Sequence, residues 1–185
     1  VFTFFWERFL NHLISKFRME ALIPMLAFLG IFVGILIAKF TREEIRSNRN
    51  YLLLLNKIII GILILVVIVF SKNLSLLFIG VLLGFLSAYV LSEFLFLGLV
   101  LGISFFLKKD ISLIASSLVF MYSLVYGSLI RLSNLSFSRI LVLFVMFFLP
   151  FSIFLVDGVL MLDLVIGFVA GGLSNYLIGN KFALM

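Results

Sequence analysis

LSLLFIGVLLGFLSAYVLSEFLFLGLVLGISFFL, residues 74–107, carries a single charge, the carboxylate of Glu93, and neither Pro nor Asn. As one helix it would run about 51 Å at about 1.5 Å per residue. The hydrocarbon core of a bilayer is only about 30 Å thick. Two short helices are therefore expected, with the turn near Tyr89 to Ser92. Ser92 reads as an N-cap, and Glu93 as a first-turn acid facing the positive end of the helix dipole. The two halves resemble one another: Leu77 to Phe85 aligns with Leu95 to Ile103, glycine on glycine.

The rest of the chain has the same character. Hydrophobic residues make up 65% of 185 positions, charged residues 12%, and mean hydropathy is +1.38. A soluble core of this size leaves a polar shell, so the solvent for most of this chain is a bilayer. There every backbone N–H and C=O must be paired within the protein, which leaves helices or closed barrels. Barrel strands alternate apolar and polar residues, whereas Ile58 to Phe70 and Leu141 to Phe151 are apolar on all sides. The expected fold is an all-α integral membrane protein, a polytopic bundle of about seven transmembrane helices. The count becomes six if residues 74–107 form one helix.

Outside residues 74–107, the other spans are read as Ala21 to Ala38, Tyr51 to Phe70, Ile111 to Ile130, Ile140 to Val156 and Val159 to Ile178. Pro150 falls within the sixth, as a kink. The Lys39 to Asn50 link holds Thr41 and Glu44 at capping-box spacing, which predicts a short helical turn outside the membrane. Residues 1–18 differ from the remainder. Phe2, Phe5, Trp6, Phe9, Leu13 and Phe17 share one face, and Glu7, Arg8, His12 and Lys16 the other. That is the pattern of an amphipathic helix lying in the membrane interface. Met19-Glu20 reads as an alternative natural start. The domain reading is thus an interfacial helix, 1–18, and one helical bundle, 19–185.

Fourteen Lys and Arg against eight Asp and Glu give a net charge of +6. These cations lie in links, where they set topology, and no basic stripe interleaves with exposed aromatics. Nucleic acid is not an expected partner. With seven spans, one face holds Lys39, Arg42, Arg46, Arg49, Lys57, Arg131, Arg139 and Lys181. The other holds Arg8, Lys16, Arg18, Lys72, Lys108 and Lys109. The excess places the Lys39 to Asn50 link in the cytoplasm of a multi-pass protein of the cell membrane. Cysteine is absent, which excludes disulfides and thiolate chemistry.

Few residues offer chemistry. Glu93 is the foremost, because an ionisable group deep in a membrane is costly and marks a functional site; at a turn near the headgroups it is only a capping residue. Tyr122 and Tyr126, four apart, share a face and offer to line a polar cavity; hydroxyls bonded to neighbouring helices are the plainer account. Asp157 and Asp163 flank the last turn and offer a cation site; a loop charge and a first-turn charge are the plainer reading. Four glycine pairs recur at four-residue spacing: Gly30 and Gly34, Gly80 and Gly84, Gly98 and Gly102, Gly167 and Gly171. Such pairs let helix backbones approach closely. They serve packing within the chain or an interface with a second copy or another membrane subunit. The single histidine, His12, makes no metal set, and no catalytic, metal or cofactor motif is present. No cofactor is expected, and the one certain partner is the lipid bilayer.

The segments Ala38-Lys-Phe-Thr-Arg-Glu-Glu-Ile45 and Phe120-Met-Tyr-Ser-Leu-Val-Tyr-Gly127 resemble small archaeal polytopic membrane proteins over the part after Met19. The resemblance implies a membrane fold and no activity. Three function classes remain. A small transporter or channel, or its membrane subunit, predicts that Glu93, the tyrosines and the glycines converge inside the bundle. A structural or assembly subunit of a larger complex predicts a solid bundle with an apolar docking face. An intramembrane enzyme predicts Asp157, Asp163 and Glu93 gathered at one face beside a basic group.

Overall fold

A computed structural model describes residues 22–107, 109–129, 137–154 and 162–179. Every element in them is an α-helix: α1 (Leu22–Phe40), α2 (Arg42–Ser47), α3 (Arg49–Ile68), α4 (Leu74–Ser87), α5 (Glu93–Leu107), α6 (Lys109–Leu129), α7 (Phe137–Phe154) and α8 (Leu162–Ile178). The break between α4 and α5 falls at residues 88–92, so the single long helix that would reduce the count to six does not form. The interfacial helix read over residues 1–18, and Asp157, lie outside the described residues.

Seven of these helices are apolar, but they are unequal. Leu22–Phe40, Arg49–Ile68 and Asp110–Leu129 are long and apolar enough to cross a membrane. Among the described residues, these three of the about seven expected spans have that length. At about 1.5 Å per residue, α4 with 14 residues and α5 with 15 extend only about 21–22 Å.

Two expected caps also take other forms. The Thr41 hydroxyl makes no bond to the start of α2; it donates back to the Ile37 carbonyl at 2.9 Å, so the capping box is not built. Ser92 Oγ is buried without a hydrogen-bond partner, so it does not cap α5 through its side chain. The working cap is Asn73, whose Oδ1 accepts from the N–H groups of Ser75 and Leu76 at the start of α4.

Direction is set by glycine contacts. Gly30 and Gly34 of α1 lie against the carbonyls of Phe120 and Leu124 of α6, and Gly127 lies against Ile31. Both series rise together, so α1 and α6 run parallel. Gly80 and Gly84 of α4 meet the carbonyls of Leu164 and Phe168 of α8, while Gly167 and Gly171 of α8 meet those of Leu77 and Val81. These helices are parallel too, and α4 packs chiefly on α8. Phe96 of α5 lies against Gly172, its ring tilted toward those of Phe168 and Tyr176, and Leu91, five residues earlier, meets Tyr176, four residues later, so α5 packs antiparallel on α8. The α4–break–α5 segment is therefore an arch straddling α8. Gly98 seats the Phe147 carbonyl of α7, and Gly102 is buried.

The close approach is steric in origin. A methyl group on Gly84 would overlap the Phe168 carbonyl, whereas one on Gly61 would meet only the Leu177 Cδ1, at 3.7 Å. Gly84→Ala is expected to destabilise the fold by about 1–3 kcal/mol through overpacking. Gly61→Ala is expected to be neutral or to stabilise by up to about 1 kcal/mol, the helix-propensity difference. Reversible unfolding in mixed micelles checks both; equal effects would refute the assigned α4–α8 contact.

Candidate functional site

The site is built where α4 ends against α8. A helix C-terminus leaves its last carbonyls without intrahelical donors, and here α8 supplies them. Tyr176 Oη donates to the Leu91 carbonyl and, at 3.3 Å, to that of Ala88. Asn175 Nδ2 donates to the Phe85 carbonyl at 3.1 Å. The break itself keeps its N–H groups paired: those of Tyr89, Val90 and Leu91 all donate to carbonyls in the last turn of α4.

Glu93 opens α5 immediately after this break and is 6% exposed. Tyr122 of α6 donates its hydroxyl to Glu93 Oε2 at 2.7 Å. A buried carboxyl without a partner would cost several kcal/mol or more, so this bond is a condition of Glu93 being there. Aromatic rings enclose the pair. Phe94 sits edge-on to Tyr126 with centroids 4.9 Å apart, and Tyr122 stacks on Tyr126 at 6.2 Å. The structure thus brings together Glu93, Tyr122 and Tyr126, and adds Tyr176 and Asn175. Their arrangement suits a group that holds and passes a proton or small cation in dry surroundings.

Depth follows from helix register. Tyr122 lies seven residues before the end of α6, about 10 Å inside it. Asn56 lies seven residues into α3, at a like depth from its N-terminus. It is fully buried, and neither atom of its amide meets a hydrogen-bond partner. A buried amide left so costs roughly 1–3 kcal/mol, which packing alone does not explain.

Asp163 belongs elsewhere. It opens α8, thirteen residues from Tyr176 and so about 20 Å away along the helix. Its Oδ1 accepts from the Lys72 N–H at 2.8 Å and from the Ser71 hydroxyl at 3.1 Å. It ties α8 to the α3–α4 turn and does not join Glu93. Among the described residues, no three acidic or histidine side chains gather to hold a metal. The hydroxyls of Ser116, Ser117, Ser128 and Ser174 bond to carbonyls three or four residues back in their own helices. Tyr176 was the residue hardest to single out in sequence. Its only signal is a polar run, Ser174-Asn175-Tyr176, ending an apolar helix.

Tyr176→Phe strips the arch carbonyls of their donor. It is expected to lower stability by about 1–2 kcal/mol, while Tyr51→Phe, at an exposed position, stays within about 0.5 kcal/mol. The same micelle unfolding assay reads both; indistinguishable midpoints would show that the arch does not depend on Tyr176.

No protein-family model, no curated protein and no solved structure matches this chain.

Proposed function

We propose that the chain is a small transport-type protein of the cell membrane, or the membrane subunit of one, with its seven apolar helices forming one bundle in the bilayer. Glu93 is the group that takes up and releases a proton or small cation. The observation that carries this reading is the buried Glu93–Tyr122 pair beside a helix break whose carbonyls are held by Tyr176. An ionisable side chain so placed is costly to keep, and broken helices inside a bundle are where membrane transporters build ion sites. A purely structural bundle packs more cheaply with leucine at that position. The parallel course of α1 with α6 and of α4 with α8 supports strict alternation of direction through α1, α3, α4, α5, α6, α7 and α8.

The test is proton flux into liposomes holding the purified protein and a trapped pH dye, driven by a potassium–valinomycin potential. Native protein is expected to acidify the lumen faster than protein-free vesicles, and Glu93→Gln to fall to the protein-free rate. Equal rates for the native protein and Glu93→Gln would remove Glu93 from the pathway. A native rate no faster than that of empty vesicles would hand the reading to an assembly role. On orientation, the chain lacks cysteine, so Ser47→Cys carries one thiol. An impermeant maleimide is expected to label it from the cytoplasmic side alone.

A further inference from the structure

We infer that the α4–α5 arch does not cross the bilayer but enters and leaves by one face, with its apex inside the hydrocarbon. This rests on reading α1, α3 and α6 as full crossings, and not on the transport assignment. Three independent observations converge on it.

The first is length and register. α4 and α5 are 14 and 15 residues long, against 20 for Arg49–Ile68 and 20 for Asp110–Leu129. One foot of the arch, Leu74, follows the Ser71-Lys72-Asn73 turn, and the other, Leu107, lies two residues before α6 starts. The apex is held at Tyr122, about 10 Å short of the end of α6. Gly61, level with Leu177 near the end of α8, is twelve residues from the start of α3, about 18 Å. The long helices thus continue beyond the arch toward the Lys39 to Asn50 side.

The second is composition. Ala88 to Leu91 holds no charge and no Gly, Pro, Asn, Asp or Ser. Tight turns in water draw on those residues, as the Ser71-Lys72-Asn73 turn does. Yet the apex is open: Val90 is 89% exposed, with Tyr89 and Leu86 also bare. Exposed and apolar together indicate lipid contact.

The third is hydrogen bonding. A turn in water needs no protein donors for its free carbonyls. Here the N–H groups of residues 89, 90 and 91 and the carbonyls of Phe85, Ala88 and Leu91 all have protein partners. Non-helical backbone at membrane depth is tolerated only on that condition.

The consequence is one-sided access. By the registers of α6 and α3, Glu93 lies about 10–18 Å from the Lys39 to Asn50 face, and the whole of α5, about 22 Å, separates it from the other. Any ion or proton that reaches it does so first from the Lys39 to Asn50 side.

Spin labels on single cysteines in phosphatidylcholine–phosphatidylglycerol vesicles test this, with collision rates for oxygen and for a water-soluble nickel chelate giving depth. Sites at Ser47→Cys and Lys72→Cys report the two faces, and Leu29→Cys, exposed midway along α1, reports the interior. Val90→Cys is expected to match Leu29→Cys: rich in oxygen collisions, poor in nickel. A Val90 label as open to nickel as that at Ser47, with the three controls in order, would overturn the one-sided arch alone. Should Ser47 and Lys72 fail to report two aqueous faces, the full crossings fall and the arch with them.

Discussion

A helix that stops among apolar neighbours must find donors for its last carbonyls, and in hydrocarbon only the protein can supply them. The end of α4 meets that demand through one side chain above all, Tyr176, whose hydroxyl serves Ala88 and Leu91 together. Asn175 serves Phe85 one turn earlier. Because both donors sit on α8, the break is possible only where α8 runs beneath it. The position of Glu93 follows, since it is the first residue of the helix that restarts after the break. Tyr122 then meets the carboxyl from α6, so α4, α5, α6 and α8 are joined at one small polar centre.

That centre needs α8 to lie close to both legs of the arch. Glycine makes this possible. Gly80 and Gly84 on one side and Gly167 and Gly171 on the other bring two backbones together without intervening side chains. Lipid is as apolar as leucine, so helices in a bilayer gain little by hiding apolar surface and much by close packing. α1 and α6 use the same device in the same parallel sense. Gly172 does something different: it leaves room for the ring of Phe96, which turns α5 onto the opposite flank of α8. The scaffold below the site is thus close-packed backbone, with large side chains wedged where the spacing opens.

Local signals fared unevenly, for a physical reason. Thr41 and Glu44 have capping-box spacing, yet the Thr41 hydroxyl bonds backward to Ile37. Ser92 precedes α5 as a cap should, yet its hydroxyl is buried and unbonded. A hydroxyl has several carbonyls and N–H groups within reach, and which one wins depends on how the chain enters the helix. Asn73 caps α4, and Asp163 reaches across to the turn before it. The latter joins residues some ninety positions apart, which no local pattern encodes.

The sequence by itself determined the class of structure and the helices that compose it. Long apolar runs with no alternation admit only helices in a bilayer, and the 34 residues from Leu74 to Leu107 are too long for one crossing, so the break near Tyr89 to Ser92 was legible. So was Glu93 as the single charge of that stretch, which the structure buries. Only the tertiary structure decided which glycine faces which carbonyl, and that α8 divides α4 from α5. It also decided that Tyr176 closes the break, that Tyr122 holds the carboxyl and that Asp163 does not. Helix formation depends on contacts four residues apart, which a sequence displays directly. Partner choice between helices depends on shape and hydrogen-bond geometry among residues distant in the chain, and nearly every helix here offers the same apolar face.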